Sequence, residues 1–449
     1  MPDGTRKFST ETVTRLVMWS QALFTAGNSL TTGGFLNYFI YEFEQSALYL
    51  AAIQVAPECA ESLGVFTRRI LNWFRGRKRL WICGLVVARL TALVIPAVFL
   101  FLPDRFNTLS LPITLCAIIV WYLAQGIAYC SYISWLSDLV PEQNWGTFFS
   151  RRRIAGLIVS MIVPISFGLL RSRLISKWSG DWELWSYLII FGMGAALALS
   201  SILPMLSLPE SHTKLEPKVT PRNSRTRWKD LSLSFRWLLC SRWWLAFFQG
   251  LTQVALFKFS VGVLHVSLET YYVLTAVTLL LQIISARWAG TMCDRDHDRK
   301  VTIFGLLIVS CAMPFWIAAT PEFWWLIVGS NLAWGAFGMV NVGLQNLTLK
   351  LAPVSDNTLH ISLSRQWSGL IAGLAGLLGG YYLDWGLSQS DISPGWVYLT
   401  IFGVSWLGRV SAPLLMLPVV QPRTRVSVND DSLGVDDGDR ISEPDRTPV

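Results

Sequence analysis

The chain has 449 residues, of which 52% are apolar and 15% charged, and its mean hydropathy is +0.44. Soluble domains carry about 25% charged residues, so a row of soluble domains is excluded and an all-α polytopic membrane protein is expected. The formal charge of +8 would suit a nucleic-acid binder, but the basic residues lie in short loops between apolar runs, where the positive-inside rule places them, and no nucleic-acid partner is expected.

Apolar runs near the ~20 residues that cross a bilayer core of ~30 Å recur along the chain. Twelve spans are predicted, at about 13–37, 45–66, 80–102, 111–137, 153–172, 184–206, 243–265, 270–289, 301–319, 323–347, 364–384 and 396–419. The amino terminus is polar to about Thr12, and the first run shows no cleavage site, so it reads as a retained helix. Residues 1–206 hold the first six spans, 207–242 form a polar, basic linker, 243–420 hold the last six, and 421–449 form an acidic tail without aromatic residues, read as disordered. The seven cysteines show no C-x-x-C spacing, so neither a disulfide framework nor a zinc site is expected.

Loop charge sets the orientation. One set of loops carries Arg68, Arg69, Arg75 to Arg79, Arg151 to Arg153, the linker, Arg295, Arg299, Lys300 and Lys350. The opposite set carries Glu42, Glu44, Asp181, Glu183, Glu269, Glu322, Asp384 and Asp391, with Arg171, Arg173 and Lys177 as exceptions. The imbalance puts both termini in the cytoplasm, and the cytoplasmic (inner) membrane is the expected location. Tryptophans near span ends, among them Trp81, Trp182, Trp243 and Trp324, fit an interfacial belt.

Ionisable residues inside spans are costly. Glu58 and Glu61 share one face of the second span at i,i+3, and Arg89 lies in the third at matching depth across the hairpin. Two readings stay open: an ion pair that holds the spans together, with Glu58 meeting Arg89, or a coupling proton carried by a glutamate.

The halves repeat faintly. Leu139, Pro141, Ser150 and Arg153 after the fourth span match Leu351, Pro353, Ser362 and Arg365 after the tenth without a gap. Such internal repeats are expected of transporters with a site between two related halves.

Between the eighth and ninth spans lies GTMCDRDHDRK. Its Gly290, Asp294, Arg295, Arg299 and Lys300 resemble the G-x-x-x-D-R-x-G-x-[RK]-[RK] loop of the major facilitator superfamily, with His297 where that pattern has glycine. The resemblance implies twelve helices in two pseudo-symmetric six-helix bundles and a secondary transporter of small solutes working by alternating access. It also implies a latch: Gly290 would allow a close helix approach, and Asp294 would meet the first turn of the fifth span, near Phe149 to Arg152, with Lys350 completing the cluster. An anion is favoured at a helix N-terminus. The plain alternative is a solvated, positive-inside loop.

In that family the first, fourth, seventh and tenth spans line a central cavity. Their polar residues here are Asn28 with Gln21, Thr31 and Thr32; Gln125, Tyr129 and Ser131; Gln249, Gln253 and Lys258; and Asn331, Asn341 and Gln345. Facing lipid they would go unsatisfied, so they either bind solute or bond neighbouring helices. Acidic residues are missing from the middles of these spans, which disfavours a lipophilic cation. Amides beside aromatic rings suit a neutral polar solute such as a sugar, and Lys258 leaves an organic anion open. The partners expected are such a solute, a coupling proton or cation, and the lipid bilayer. The alternatives are efflux of amphipathic compounds and a sensor or scaffold that moves nothing. The four histidines are dispersed, and no catalytic or nucleotide-binding motif is present, so neither an enzyme nor a cofactor is expected.

Overall fold

The computed structural model describes residues 10–43, 46–62, 76–102, 107–139, 145–177, 182–210, 231–351, 357–391 and 393–420. The middle of the linker, the tail, the side chains of Glu58 and Glu61, and those of the repeat residues Pro141, Ser150, Arg153, Pro353, Ser362 and Arg365 lie outside this description.

Helices occupy every expected span. The first is α1 (Thr10–Thr31) and α2 (Gly34–Phe43), followed by α3 (Ala47–Ser62), α4 (Arg77–Phe101), α5 (Asn107–Leu139), α6 (Trp145–Lys177), and α7 (Trp182–Ser200) with α8 (Ile202–Leu206). The second set comprises α9 (Leu233–Lys258), α10 (Leu268–Cys293), α11 (Asp298–Ser310) with α12 (Ala312–Ala318), α13 (Leu326–Trp334) with α14 (Phe337–Leu351), α15 (Asn357–Ser388) and α16 (Pro394–Leu415). Among the described residues, ten helical stretches are long and apolar enough to cross a membrane. The other two expected spans correspond to the broken α1–α2 pair and to α3, whose apolar stretch Ala47–Pro57 is shorter.

The breaks have local causes. Between α1 and α2 the chain turns at Gly33, whose φ of +60° is strained for any residue with a Cβ. The sixth and ninth spans break where Ser-x-x-x-Pro occurs, at Ser200–Pro204 and Ser310–Pro314. Proline has no N–H for the carbonyl four residues back, and its ring crowds that carbonyl. Helix starts are capped: Ser232 accepts from the Phe235 N–H at α9, and Ser267 from the Thr270 N–H at α10. The fifth span starts earlier than expected, at Trp145. Arg151 and Arg152 are therefore about two turns inside α6, and not at its N-terminus.

Helix pairing repeats along the chain. In the first half α1 packs on α6 and α7, α3 on α5, and α4 on α5 and α7. In the second half α9 packs on α15 and α16, α10 on α14, and α11 on α14 and α16. Each second pairing is the first moved on by six spans. Across the halves α3 meets α15 and α6 meets α10, contacts that the same shift exchanges. Thr10, Arg77, Arg151, the 294–300 loop and Val420 share one end of the molecule, called here the basic face. Glu42, Glu183, Glu269 and Asp384 lie at the other, the acidic face.

Small residues allow the closest crossings, because backbones approach where no side chain intervenes. A Cβ at Gly250 would strike the carbonyl of Ala372, and one at Gly379 that of Leu251, so α9 and α15 touch backbone to backbone. At Gly192 and Gly403 a Cβ would meet nothing within 4 Å. Gly250→Leu and Gly379→Leu should each cost at least the ~1–3 kcal/mol typical of overpacking, while Gly192→Leu and Gly403→Leu should be near neutral. Thermal unfolding of the four purified variants in detergent gives the ranking; equal melting temperatures would contradict the packing.

Candidate transport site

A cavity of about 320 Å³ lies toward the basic face, walled by residues of α1, α3, α4, α5 and α6. That volume is at the lower end of the range for small-molecule sites. Its polar lining comes from Ser20, Gln21, Gln125, Tyr122, Tyr129, Tyr132 and Arg152; the apolar part includes Phe24, Pro57, Trp81 and Leu85. Arg152 lies over the Tyr132 ring at 5.1 Å, and Tyr132 stacks on Trp81 at 5.2 Å.

Behind the wall sits Arg89, fully buried. Its Nη1 donates to Thr31 Oγ1 at 3.0 Å, and its Nη2 to Asn28 Oδ1 and Gln125 Oε1, both at 2.8 Å. The rings of Phe24 and Trp121 lie 5.2 and 5.9 Å from the guanidinium. Trp121 Nε1 also donates to Gln125 Oε1, at 3.2 Å. All of these partners are neutral. The expected Glu58 pairing falls outside the described side chains; among the described ones Arg89 is held by amides, a hydroxyl and π faces. Such contacts orient a guanidinium without cancelling its charge.

A seal between the halves occupies the acidic face. Asp384 of α15 caps the start of α3: its Oδ1 accepts from the Ala47 N–H at 2.6 Å, its Oδ2 from Ser46 Oγ at 2.7 Å and the Leu48 N–H at 2.9 Å. The two N–H groups are orphan donors of a helix N-terminus, where a carboxylate is favoured. Lys258 Nζ stands 4.0 Å from the same carboxylate. Nearby, the Phe35 N–H donates to Tyr272 Oη and Tyr38 Oη donates to the Val266 carbonyl, each at 2.7 Å. Tyr38 and Tyr41 pack edge-on against Phe257. Beside the seal, Arg171 reaches Glu42 at 2.9 Å and lies over Tyr187 at 4.0 Å. That contact explains one basic residue on the otherwise acidic side.

At the basic face the picture differs. Lys350 Nζ donates to Asp296 at 2.8 Å and to the buried Asp298 at 2.7 Å, and Arg299 donates to the Leu417 carbonyl. These contacts stay within the second half. Asp294 is exposed, and a Cβ at Gly290 would meet nothing within 4 Å. The expected close approach at Gly290 and the inclusion of Lys350 in a cross-half cluster are thus absent in this conformation: Lys350 is drawn to two nearer carboxylates.

The family model described as Major Facilitator Superfamily matches residues 17–353. The chain belongs to the major facilitator superfamily. It is an integral membrane protein of that family's fold. No curated protein matches the sequence. Solved structures do match over nearly their whole length. A D-xylose-proton symporter shares 17% identity at TM-score 0.67, covering 92% of this chain and 98% of that one. The nucleoside transporter NupG shares 15% at 0.63, covering 91% and 100%. The xylose transporter XylE from E. coli, in an inward-open conformation, shares 13% at 0.64, covering 92% and 97%.

Within this superfamily fold the residues singled out from the sequence divide. Gln125 and Tyr129 line the cavity, and Asn28 holds Arg89. Arg152, assigned to the loop latch, lines the cavity too. Lys258 stands instead at the acidic-face seal. Asn331 is buried, donates to the Ile327 carbonyl and accepts from Thr278 Oγ1 at 2.9 Å, so its amide joins helices rather than facing a solute. Gln249, half-buried, and Gln253 and Asn341, both exposed, do not line this cavity. Sequence reasoning missed Arg409 of α16, buried and donating to Thr252 Oγ1 at 2.8 Å and Ser405 Oγ at 3.1 Å. A charge inside an apolar run was the available signal. It also missed Asp384 as a cap, because the donors it meets lie more than three hundred residues away in sequence.

Asp384→Ala should open the acidic face. Hydrogen bonds to a charged acceptor contribute about 1.5–3 kcal/mol each, so loss of the cap should shift a balanced closed–open equilibrium at least tenfold. A Tyr41→Cys reporter probed with a membrane-impermeant maleimide reads the change; an unaltered labelling rate in the Asp384→Ala background would show that the cap does not hold the seal.

Proposed function

We propose that the chain is a secondary active transporter that moves a small polar solute by alternating access, with the basic face in the cytoplasm, both termini there, and the cytoplasmic membrane as its location. The carrying observation is a solute-sized cavity near the basic face beneath a sealed acidic face. Residues 1–206 and 243–420 act as the two moving halves, a reading supported by the repeated pairings and by the mutually exchanged α3–α15 and α6–α10 contacts. The structure then corresponds to a state open toward the cytoplasm. The solved structures of similar fold include carriers of xylose and of nucleosides, which supports a small polar cargo for this chain. Glu58 and Glu61, on α3 just beyond the cavity-lining Pro57, are the groups a coupling proton would use.

In the other state the halves close over the solute at the cytoplasmic side. Gln249, Gln253 and Asn341 then join Gln125, Tyr129 and Asn28 around it. Asp294 swings to the start of the fifth span. Since α6 begins at Trp145, the exposed Arg151 is its partner on that helix, and the contact is an ion pair in place of a helix cap.

Uptake into proteoliposomes from a mixture of sugars, nucleosides and organic acids tests the transport reading; no flux of any class would refute it. For the latch, Asp294→Asn and Arg151→Gln should each slow uptake several-fold at unchanged protein yield. The double variant should be no slower than either single one, because both remove one contact. Additive losses would show that the two residues act apart.

A further inference from the structure

The cavity wall is built from donors, and this points to the class of solute. Gln125 decides the matter first. Its Oε1 accepts from both Arg89 Nη2 and Trp121 Nε1. Reversing the amide would aim its NH2 at two donors, so its orientation is fixed. What Gln125 turns to the cavity it lines is therefore its Nε2 hydrogens.

The second group is Arg152. It lines the cavity, with its guanidinium over the Tyr132 ring and hydrogen-bonded to the Tyr132 side chain, while its Nε, shielded from solvent, has no partner among the described residues. The third is Arg89, one residue behind the surface, whose Nε is likewise unpartnered and whose described partners are all neutral. Two guanidinium charges thus act on a space with low-polarity walls, and no carboxylate lines it among the described residues. Around these donors stand Phe24, Tyr129 and the stacked Trp81–Tyr132 pair.

Resting on the transporter reading above, we infer that the cargo is an organic anion: a carboxylate carried on a flat, apolar body. The carboxylate takes the forked donors of Arg152, for which guanidinium geometry is suited, and the amide hydrogens of Gln125. The flat body lies against the aromatic walls. A neutral sugar would leave the half-buried Arg152 with no counter-charge among the described side chains, which is the costlier arrangement. Lys258, the other cation once open to this role, is committed to Asp384 at the far face.

Three probes of one shape and three charges test the assignment: benzoate, benzamide and benzylamine, with 2-naphthoate and its amide as larger counterparts. Binding to the purified full chain is read by thermal shift and by quenching of tryptophan fluorescence. The acids should bind at least tenfold more tightly than the amides, and the amine weakest. Arg152→Gln should erase the preference for acid over amide while leaving amide binding in place; Arg152→Lys should keep part of it. Retention of preference in Arg152→Gln, equal binding of acid and amide, or preference for the amine would each overturn the anion assignment, the last pointing to Glu58 or Glu61 in the wall. So would binding of xylose or a nucleoside when no acid binds, though flux of that solute would leave the transporter reading standing. Absence of binding and flux for every class would remove both.

Discussion

Arg89 lies where neither water nor, among the described side chains, a carboxylate meets it, and the wall of the cavity is arranged around that fact. A guanidinium in apolar surroundings must spend its N–H groups on oxygens. Here Thr31, Asn28 and Gln125 supply them from two helices, and Phe24 and Trp121 offer their ring faces. The arrangement ties α1, α4 and α5 together. It also reverses what the amide of Gln125 can do: an acceptor consumed from behind leaves a donor in front. A single buried charge therefore fixes both helix packing and the polarity presented to a solute.

Each half rests one buried cation on neutral oxygens, but the two are not equivalent. Arg409 in α16 also rests on neutral oxygens, Thr252, Ser405 and the Phe248 carbonyl. Its partners are one turn of its own helix and the facing turn of α9, where backbone contact with α15 leaves little room. The same chemistry thus stiffens a tightly packed helix group in the second half and borders a cavity in the first.

Much of the fold was legible in the chain because a bilayer permits few solutions. Backbone groups must be satisfied within each span, so apolar length located ten spanning stretches among the described residues, and the pairings follow the repeat of six. The starts of helices were less legible: the sequence of the fifth span turns apolar only after Arg153, yet its helix begins at Trp145, since helical geometry continues past the membrane boundary. The site was read in part. Gln125, Tyr129, Asn28 and Arg89 stood out as polar groups in apolar runs, and the structure gathers them. What pattern could not supply was partnership. Lys258 and Asp384, or Lys350 and Asp298, are brought together by tertiary packing between distant segments, and a local reading assigns such residues to solute or latch by default. Asn331 shows the same ambiguity resolved toward packing, through Thr278.

The geometry also constrains how a solute could drive the cycle. A ligand moves a two-state equilibrium only by binding the two states unequally. A solute held solely by α1, α3, α4, α5 and α6 would travel with one half and gain nothing when the other approaches. The seal at the acidic face, with its charged cap and ring packing, would then keep the protein in the conformation seen. Closure becomes favourable only if the solute gains contacts from the second half that exceed those lost at Asp384, Tyr38 and Tyr272. The amides Gln249 and Gln253 are one helical turn apart on α9, the helix whose far end carries Lys258. A rocking motion that brings these amides to the solute also carries α15, packed backbone to backbone on α9, and so moves Asp384 relative to the start of α3. Bound solute and the seal would thus compete through one rigid helix pair, which is the physical requirement for exchange rather than leak.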